Sequence, residues 1–412
     1  MLFNFDFYSS LLLIFFVHTV VYAILFFVKF KKQQLQSSFW LGLFLLLAAL
    51  YITPWMVGFA GWYGTQPYRD ILFYTPFQHL FLIGPCIFFY VNSLFNPSFR
   101  VTKKEILHFI PSALYLAFCV VMVVYDKLVL RDYFFLKNGQ DPDFDDWYQL
   151  LGFLSMISYF IASIKYYNAY KRAIENVISN SADFLFTWVR NFLFAFLFIL
   201  IAWFLLALFT LVFSLRYIDS WWYFLAFAIC CYYIAIAGYS NAVEAKIFFK
   251  TKIFSKENTA LLQQNVSPLL LENNSIEFEE IEIESLKPED KLNSNEWAAW
   301  KQKIEHVLLI EKKYEEPELT LFDIAKKLNT NISLLSKAIN NAFNSNFNDV
   351  VNGYRIAAFI DLINQGEHKK QTILSLAFEV GFNSKATFNR AFKKIKGVSP
   401  QEFIKKSNFE IN

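Results

Sequence analysis

Long apolar runs fill the first 250 residues of the chain and determine its predicted architecture. Seven of them are predominantly apolar over about 20 residues, the length that a helix needs to cross the hydrocarbon core of a bilayer. They span 7–28, 39–60, 71–95, 106–125, 147–167, 185–213 and 220–243. Buried helices of a soluble protein are usually shorter and polar on one face. The pattern therefore predicts a domain of seven transmembrane helices over residues 1–250.

The pattern changes twice beyond residue 250. Residues 251–293 are predicted to form a linker, because 255–295 holds nine acidic residues against three lysines and is poor in apolar residues, which favours a flexible, solvated tether. The segment 276–284 alternates apolar and acidic residues, so a strand is the alternative there. From Ser294 onward, apolar residues recur at helical spacing, which predicts a helical domain over 294–412.

Composition and charge support a membrane domain and predict its orientation. Charged residues make up 18% of the chain, below the roughly 25% of soluble domains, and aromatic residues make up 20%. Basic residues cluster after the odd-numbered runs, whereas the loops between are poor in basic residues or, at 126–147, contain six aspartates. By the positive-inside rule, the N-terminus lies outside the inner membrane and the C-terminal domain lies in the cytoplasm. The clusters after the first and last runs are Lys29, Lys31 and Lys32, and Lys246, Lys250, Lys252 and Lys256.

Polar side chains inside the apolar runs are candidates for a ligand site, because they are costly in lipid. We single out His18, His79, Asn92 and Asn191. The alternative for each is a hydrogen bond between helices. The four cysteines also lie inside apolar runs and are interpreted as small buried apolar residues. They are Cys86, Cys119, Cys230 and Cys231.

Motifs for catalysis are missing from the sequence. The five histidines show no pair at metal-binding spacing, and there is no zinc-protease motif, glycine-rich phosphate loop or nucleophile elbow. We therefore expect no enzymatic activity, no metal and no cofactor.

Residues 320–343 have the pattern of a helix-turn-helix. Thr320 and Asp323 are suited to cap the first helix, and Asn329 to Asn331 suit the turn. The second helix is predicted at about 332–343. A short helix with small polar and basic residues on its outer face suits entry into the major groove. The side chains predicted to project outward are Ser333, Ser336, Lys337 and Asn340.

A second unit of the same kind is predicted at 372–400, after a long helix at about 347–365 that ends at Gly366. Thr372 is suited to cap its first helix, and Gly381 to take the turn. The second helix is predicted at about 384–395. Residues 381–406 hold seven basic residues and one acid, a field suited to phosphate contact. The outward basic and polar side chains of this helix are Lys385, Asn389, Arg390 and Lys393.

The motif I-x-x-L-A-x-x-x-G-F-x-S-x-x-x-F-x-R-x-F-K-K-x-x-G-x-S-P at 373–400 resembles the signature of AraC/XylS-type transcription regulators. The resemblance covers about residues 296–406. It implies an all-α fold in which the membrane bundle is followed by a seven-helix domain, whose two recognition helices enter successive major grooves. It implies base or DNA-backbone contacts from Ser333, Ser336 and Lys337 in the first helix-turn-helix. In the second helix-turn-helix it implies contacts from Lys385, Ala386, Asn389 and Arg390, although Ala386 stands where a polar side chain is often found.

The sequence thus predicts a membrane-embedded, DNA-binding transcription regulator that senses a signal through its transmembrane domain. The predicted partners are double-stranded DNA, the lipid bilayer, a small-molecule or peptide signal and a second copy of the chain. Two alternatives stay open. The bundle could serve only as an anchor or dimerisation platform, with regulation by partner proteins or by proteolytic release at the linker. It could also be a transporter or membrane enzyme with a fused regulator.

Overall fold

The chain divides into two units, which are described separately. The computed structural model describes residues 4–96, 99–137, 139, 141–179, 187–213, 216–240, 247–249, 260–262, 280–281 and 294–409. The first unit comprises Met1–Tyr167 and Thr187–Ala245, and the second comprises Asn168–Phe186 and Lys246–Asn412. Both units are built from helices, which confirms the all-α class.

The first unit consists of apolar helices. Among the described residues, six helical stretches that begin in this unit are long and apolar enough to cross a membrane: Phe7–Gln33, Gln36–Phe59, Lys103–Leu130, Asp146–Val177, Trp188–Val212 and Tyr217–Ser240. The stretch at 103–130 includes a short 3-10 turn and ends in a π-helical segment at Val124–Leu130. The α-helices are α1 (Phe7–Gln33), α2 (Gln36–Phe59), α3 (Tyr68–Tyr74), α4 (Leu80–Phe95), α5 (Lys103–Ile106), α6 (Ile110–Val123), α7 (Asp146–Val177), α8 (Thr187–Val212) and α9 (Trp221–Ser240).

Helix α2 is the centre of the first unit. It packs against α1, α4 and α9, and most of its side chains are buried. Gly42 lets α1 approach closely, since a Cβ there would lie 3.1 Å from Phe26 Cβ. By contrast, α6 and α8 expose large apolar side chains such as Leu114, Phe194 and Leu211. Such surfaces are unfavourable in water and suited to lipid.

The third apolar run is not one continuous helix, so the prediction at 71–95 was wrong in this respect. The chain leaves α3 at Thr75, whose φ of −96° and ψ of 117° are extended, and helix resumes at α4. Pro76 explains the break, because proline restricts the preceding residue to extended conformations and has no amide hydrogen to donate. Helix α4 alone is 16 residues long, shorter than a typical membrane span.

Most of the predicted linker lies outside the described residues. Its described part contributes to a three-stranded antiparallel sheet of very short strands: β1 (Ile247–Phe249), β2 (Ala260–Leu262) and β3 (Glu280–Ile281). Strand β2 lies in the middle and pairs with both others. The strand β3 falls within 276–284, where strand was the alternative to a tether.

The second unit has seven α-helices over 294–409, the number that the resemblance implied. They are α10 (Ser294–Glu305), α11 (Leu321–Lys327), α12 (Ile332–Phe343), α13 (Phe347–Asn364), α14 (Ile373–Glu379), α15 (Lys385–Lys396) and α16 (Pro400–Phe409). After α10 the chain continues as a π-helical turn to Ile310 and then as a 3-10 turn at Lys313–Glu315.

Two hydrophobic cores share the long helix α13. Its N-terminal half contributes Phe347, Val350 and Val351 to the core that holds α11 and α12. Its C-terminal half contributes Ile356 and Phe359 to the core that holds α14 and α15. Each helix-turn-helix unit therefore folds around its own apolar cluster, and α13 is the helix common to both.

Candidate nucleic-acid interface

Side-chain caps fix the first helix-turn-helix. Thr320 and Asp323 form a reciprocal capping box at the start of α11: the Thr320 amide donates to Asp323 Oδ2 at 2.8 Å, and the Asp323 amide donates to Thr320 Oγ1 at 3.3 Å. Asn329 turns the chain with a φ of 50°, in the left-handed region that asparagine tolerates. Asn331 then caps α12, since its Oδ1 accepts from the Leu334 amide at 2.6 Å. The predicted bounds of α12 and the predicted capping of α11 by Thr320 and Asp323 are confirmed, whereas Asn331, predicted only as part of the turn, also caps α12.

The second helix-turn-helix is also fixed by side-chain caps, and its turn contains a glycine. Thr372 caps α14 and Ser384 caps α15, each accepting a hydrogen bond from the amide three residues later. Gly381 has a φ of +96°, and a Cβ there would lie 2.5 Å from the carbonyl oxygen of Tyr314. The glycine is thus required both by the backbone conformation and by the close approach of the segment before α11.

The first recognition helix, α12, presents only part of the predicted surface. Lys337 and Asn340 are exposed and Ser336 is half-buried, but Ser333 is 6% exposed, so its predicted outward projection was wrong. Ser333 is the second residue of α12, next to the turn that joins α11 to α12, and the helical period placed it outward without accounting for that turn.

The second recognition helix, α15, presents all of its predicted side chains. Lys385, Ala386, Asn389, Arg390 and Lys393 are exposed. On its opposite face Phe388, Ala391 and Phe392 belong to the second core. The helix is therefore anchored by its apolar face and offers three basic side chains to a ligand.

A buried arginine joins the two helix-turn-helix units. Arg355, on α13, is fully buried, and its guanidinium donates to the carbonyl oxygens of Tyr314 at 2.7 Å and Glu316 at 2.6 Å, just before α11. The same group lies 5.7 Å from the ring centroid of Phe382, in the turn before α15. Burial lowers the pKa of Arg355 to about 9, so the guanidinium stays charged at neutral pH. No local sequence pattern pointed to this residue, because its partners lie about 40 residues earlier in the chain.

The four candidate ligand residues of the first unit lie on different elements. His18 is in α1 with its ring close to those of Tyr22 and Tyr232, with centroids 4.5 and 4.1 Å away. His79 directly precedes α4, Asn92 lies within α4, and Asn191 lies within α8. Among the described residues, no hydrogen bond joins any two of the four, and their role in ligand binding stays a prediction.

A different polar cluster is assembled around Asp143. Its carboxylate accepts hydrogen bonds from the amides of Phe77 at 2.7 Å and Gln78 at 2.9 Å, and from the Tyr115 hydroxyl at 2.6 Å. These bonds satisfy backbone donors freed where the third apolar run is broken. Burial and the neighbouring Asp143 carboxylate raise the pKa of Asp141 to about 8. In the sequence, these aspartates indicate only an acidic loop.

Metal binding and thiol chemistry receive no support from the described part of the chain. No group of three or more His, Cys, Asp or Glu side chains there could hold a metal ion. All four cysteines are unpaired, and three are buried, as their apolar surroundings predicted; Cys230 is half-buried.

Removing the cap of the first recognition helix is expected to weaken it measurably. Asn331→Ala deletes the acceptor for the Leu334 amide, and loss of such a cap typically costs about 1 kcal/mol. We expect amide hydrogen exchange in the first turn of α12 to rise about fivefold, while α15 is unchanged. Asn331→Ser, which keeps a capping oxygen, is the control, and equal exchange in the two variants would contradict the role of the cap.

The geometry defines a tandem helix-turn-helix domain, and the comparison with known families agrees. Residues 324–406 match the family model described as a helix-turn-helix domain. The chain therefore carries an AraC-type helix-turn-helix domain over these residues. No curated protein and no solved structure matches the chain.

Proposed function

We propose that this protein is a membrane-embedded transcription regulator that binds double-stranded DNA through α12 and α15. The observation that carries the proposal is the exposed basic surface of α15, anchored to its own core within a tandem helix-turn-helix domain. Seven basic residues against one acid over 381–406 suit contact with phosphates, and Arg390 suits contact with a guanine edge.

The first unit is proposed to span the inner membrane. Its apolar helices with exposed apolar side chains support this, and so does the distribution of basic residues between its loops. The broken third run is consistent with a crossing, because its freed amides bind Asp143 inside the protein and not lipid. In this topology the N-terminus lies outside and the DNA-binding domain lies in the cytoplasm.

Sensing through the bundle is part of the proposal. A polytopic domain exceeds what an anchor needs, and the Asp143 cluster would face the outer side in the proposed topology. The test replaces the bundle with one inert span and measures a reporter under the promoter that the protein occupies in cells. Loss of regulation with retained promoter occupancy is expected, whereas unchanged regulation would favour the anchor.

Arg390→Ala is expected to weaken DNA binding about tenfold, within the range of 1–3 kcal/mol for a base contact. The measurement uses full-length protein in nanodiscs and the site it selects from random double-stranded DNA. If Arg390 binds a phosphate, the plot of log affinity against log salt concentration should also become less steep, by about one unit of slope. Lys369→Ala removes the same charge from an exposed position outside both recognition helices and should leave the affinity unchanged. Equal losses in the two variants, or no selected sequence at all, would refute the proposed interface.

A further inference from the structure

The end of α7 is part of the second unit. Residues from Asn168 onward group with the DNA-binding helices, and α7 itself ends at Val177. Just after it, Ile178 forms an antiparallel bridge with Thr320, the cap of α11, and the Ser179 amide donates to the carbonyl oxygen of Leu319 at 3.2 Å. Ser179 is fully buried. The chain that leaves α7 is therefore hydrogen-bonded to the entry of the first helix-turn-helix.

Three polar side chains of α13 hold the same two residues. The Asn348 amide nitrogen donates to the carbonyl oxygens of Ile178 and Ser179, and the Asn352 amide nitrogen donates to that of Ser179 at 3.4 Å. The Arg355 guanidinium donates to Ser179 Oγ at 3.2 Å. Hydrogen bonds from side-chain amides to backbone carbonyl oxygens hold the backbone of these two residues in a defined position, and they do not depend on the side chains that the two residues carry.

The end of α7 also faces the second recognition helix. A cavity of about 110 Å³ is lined by Lys171 and Glu175 of α7, by Asn352 of α13, and by Arg390 and Lys394 of α15 among others. Lys394 in turn forms an ion pair with Asp349 of α13 at 2.7 Å. The proposed DNA-contacting side chains of α15 nevertheless stay exposed, so the docked α7 leaves that surface open.

These contacts meet at the junction of the two helix-turn-helix units. Arg355 links the segment before α11 to the turn before α15, and Ser179 adds a bond from α7 to the same guanidinium. Two recognition helices bind successive major grooves only if the distance and angle between them match the helical repeat of DNA, about 10.5 base pairs. A segment fixed at their junction is in a position to set that angle.

We propose that residues 168–179, the end of α7 and the two residues after it, dock on α13 as a clamp that sets the angle between the two helix-turn-helix units. Displacement of α7 then changes the affinity for a tandem DNA site. The proposal rests on the proposed function, and it assigns a regulatory route from an apolar helix to the DNA-binding surface. Coupling between sites commonly amounts to a factor of five or more.

The test uses Asn348→Asp in the full-length protein in nanodiscs. The change is isosteric, but it places a carboxylate oxygen against two carbonyl oxygens and removes the donor. It should not harm α13, because an acid in the first turn of a helix is favourable. The control is Gln371→Glu, which adds the same charge at an exposed position and keeps the acceptor for Ser375 Oγ. Ser179→Ala, which removes only the bond to Arg355, should give an intermediate effect.

Two readouts separate docking from its consequence. Hydrogen exchange of the Ser179 amide reports docking directly, and it should rise at least fivefold in Asn348→Asp and not in the control. Affinity is measured on DNA probes with the selected half-sites at their native spacing and with two base pairs inserted. Wild-type protein should lose at least tenfold on insertion, whereas Asn348→Asp should bind the native spacing at least fivefold more weakly and discriminate less.

Unchanged exchange at Ser179 in Asn348→Asp would overturn the docking. Faster exchange with unchanged discrimination of spacing would overturn the clamp, because release would then leave the angle as it was. If the added negative charge only repels DNA, Asn348→Asp lowers the affinity at both spacings by the same factor, and that result would also contradict the clamp. Wild-type protein that binds no DNA, while Ser179 exchange still responds to the substitution, would overturn the proposed function and with it this proposal.

Discussion

Gly381→Ala is expected to open the second helix-turn-helix unit while the first stays folded. The new Cβ would lie 2.5 Å from the Tyr314 carbonyl oxygen and 2.8 Å from that of Glu315, and both are backbone atoms that cannot rotate away. Alanine is also strained at a φ of +96°. Together, overpacking and backbone strain cost about 3 kcal/mol or more. This is a large part of the 5–15 kcal/mol that stabilises a typical domain.

The result is measured by amide hydrogen exchange of α14 and α15 in the full-length protein. A cost of about 3 kcal/mol raises the opening equilibrium more than a hundredfold, and DNA binding should fall with it. Two other glycines separate the causes. Gly366 has a φ of +81° with no atom within 4 Å, so Gly366→Ala tests strain alone. Gly353 lies within α13 in open space, so Gly353→Ala should stabilise by about 0.5–1 kcal/mol. A loss no greater in Gly381→Ala than in Gly366→Ala would contradict the close approach.

The DNA-binding unit could be predicted closely because its signals are local. Capping residues, a turn glycine and apolar positions at helical spacing all lie within a few residues of the structure they produce. Thr320, Thr372 and Gly381 therefore predict the helix bounds nearly to the residue. The period failed at Ser333, since periodicity describes a helix without its neighbours, and in the folded domain this residue of the first turn of α12 is buried.

Contacts between distant parts of the chain could not be predicted. Arg355 looks like a surface arginine on a helix, yet it is fully buried because carbonyl oxygens about 40 residues earlier surround it. Ser179 lies between the fifth and sixth apolar runs, and nothing near it in the sequence indicates that it is buried against α13. Polar residues in the apolar runs, such as His18 and Asn191, are candidates because they are costly in lipid, and that cost does not indicate how they lie relative to one another.

The Asp143 cluster shows the same limit in the first unit. Hydropathy treats 71–95 as one run, although Pro76 divides it and leaves backbone donors to be satisfied. The acceptor is a carboxylate more than 60 residues later, in a stretch whose aspartates indicated only an acidic loop. A sequence shows that an apolar run is broken and that acidic residues lie elsewhere. It does not show which of those acids accepts hydrogen bonds from the freed amides.

Asp143→Ala is therefore expected to destabilise the first unit more than any other single change among its loop acids. It leaves two backbone amides and the Tyr115 hydroxyl without their acceptor, and each unsatisfied buried group costs about 1–3 kcal/mol. Purified protein in detergent should show an unfolding midpoint lower by about 10 °C, at about 2–4 °C per kcal/mol for a unit of this size. The control is Asp132→Ala, an exposed acid of the same loop, which should shift the midpoint little. Tyr115→Phe removes only one of the three donors and should fall between the two. If Asp143→Ala and Asp132→Ala had equal midpoints, the carboxylate would not be what holds the broken third run.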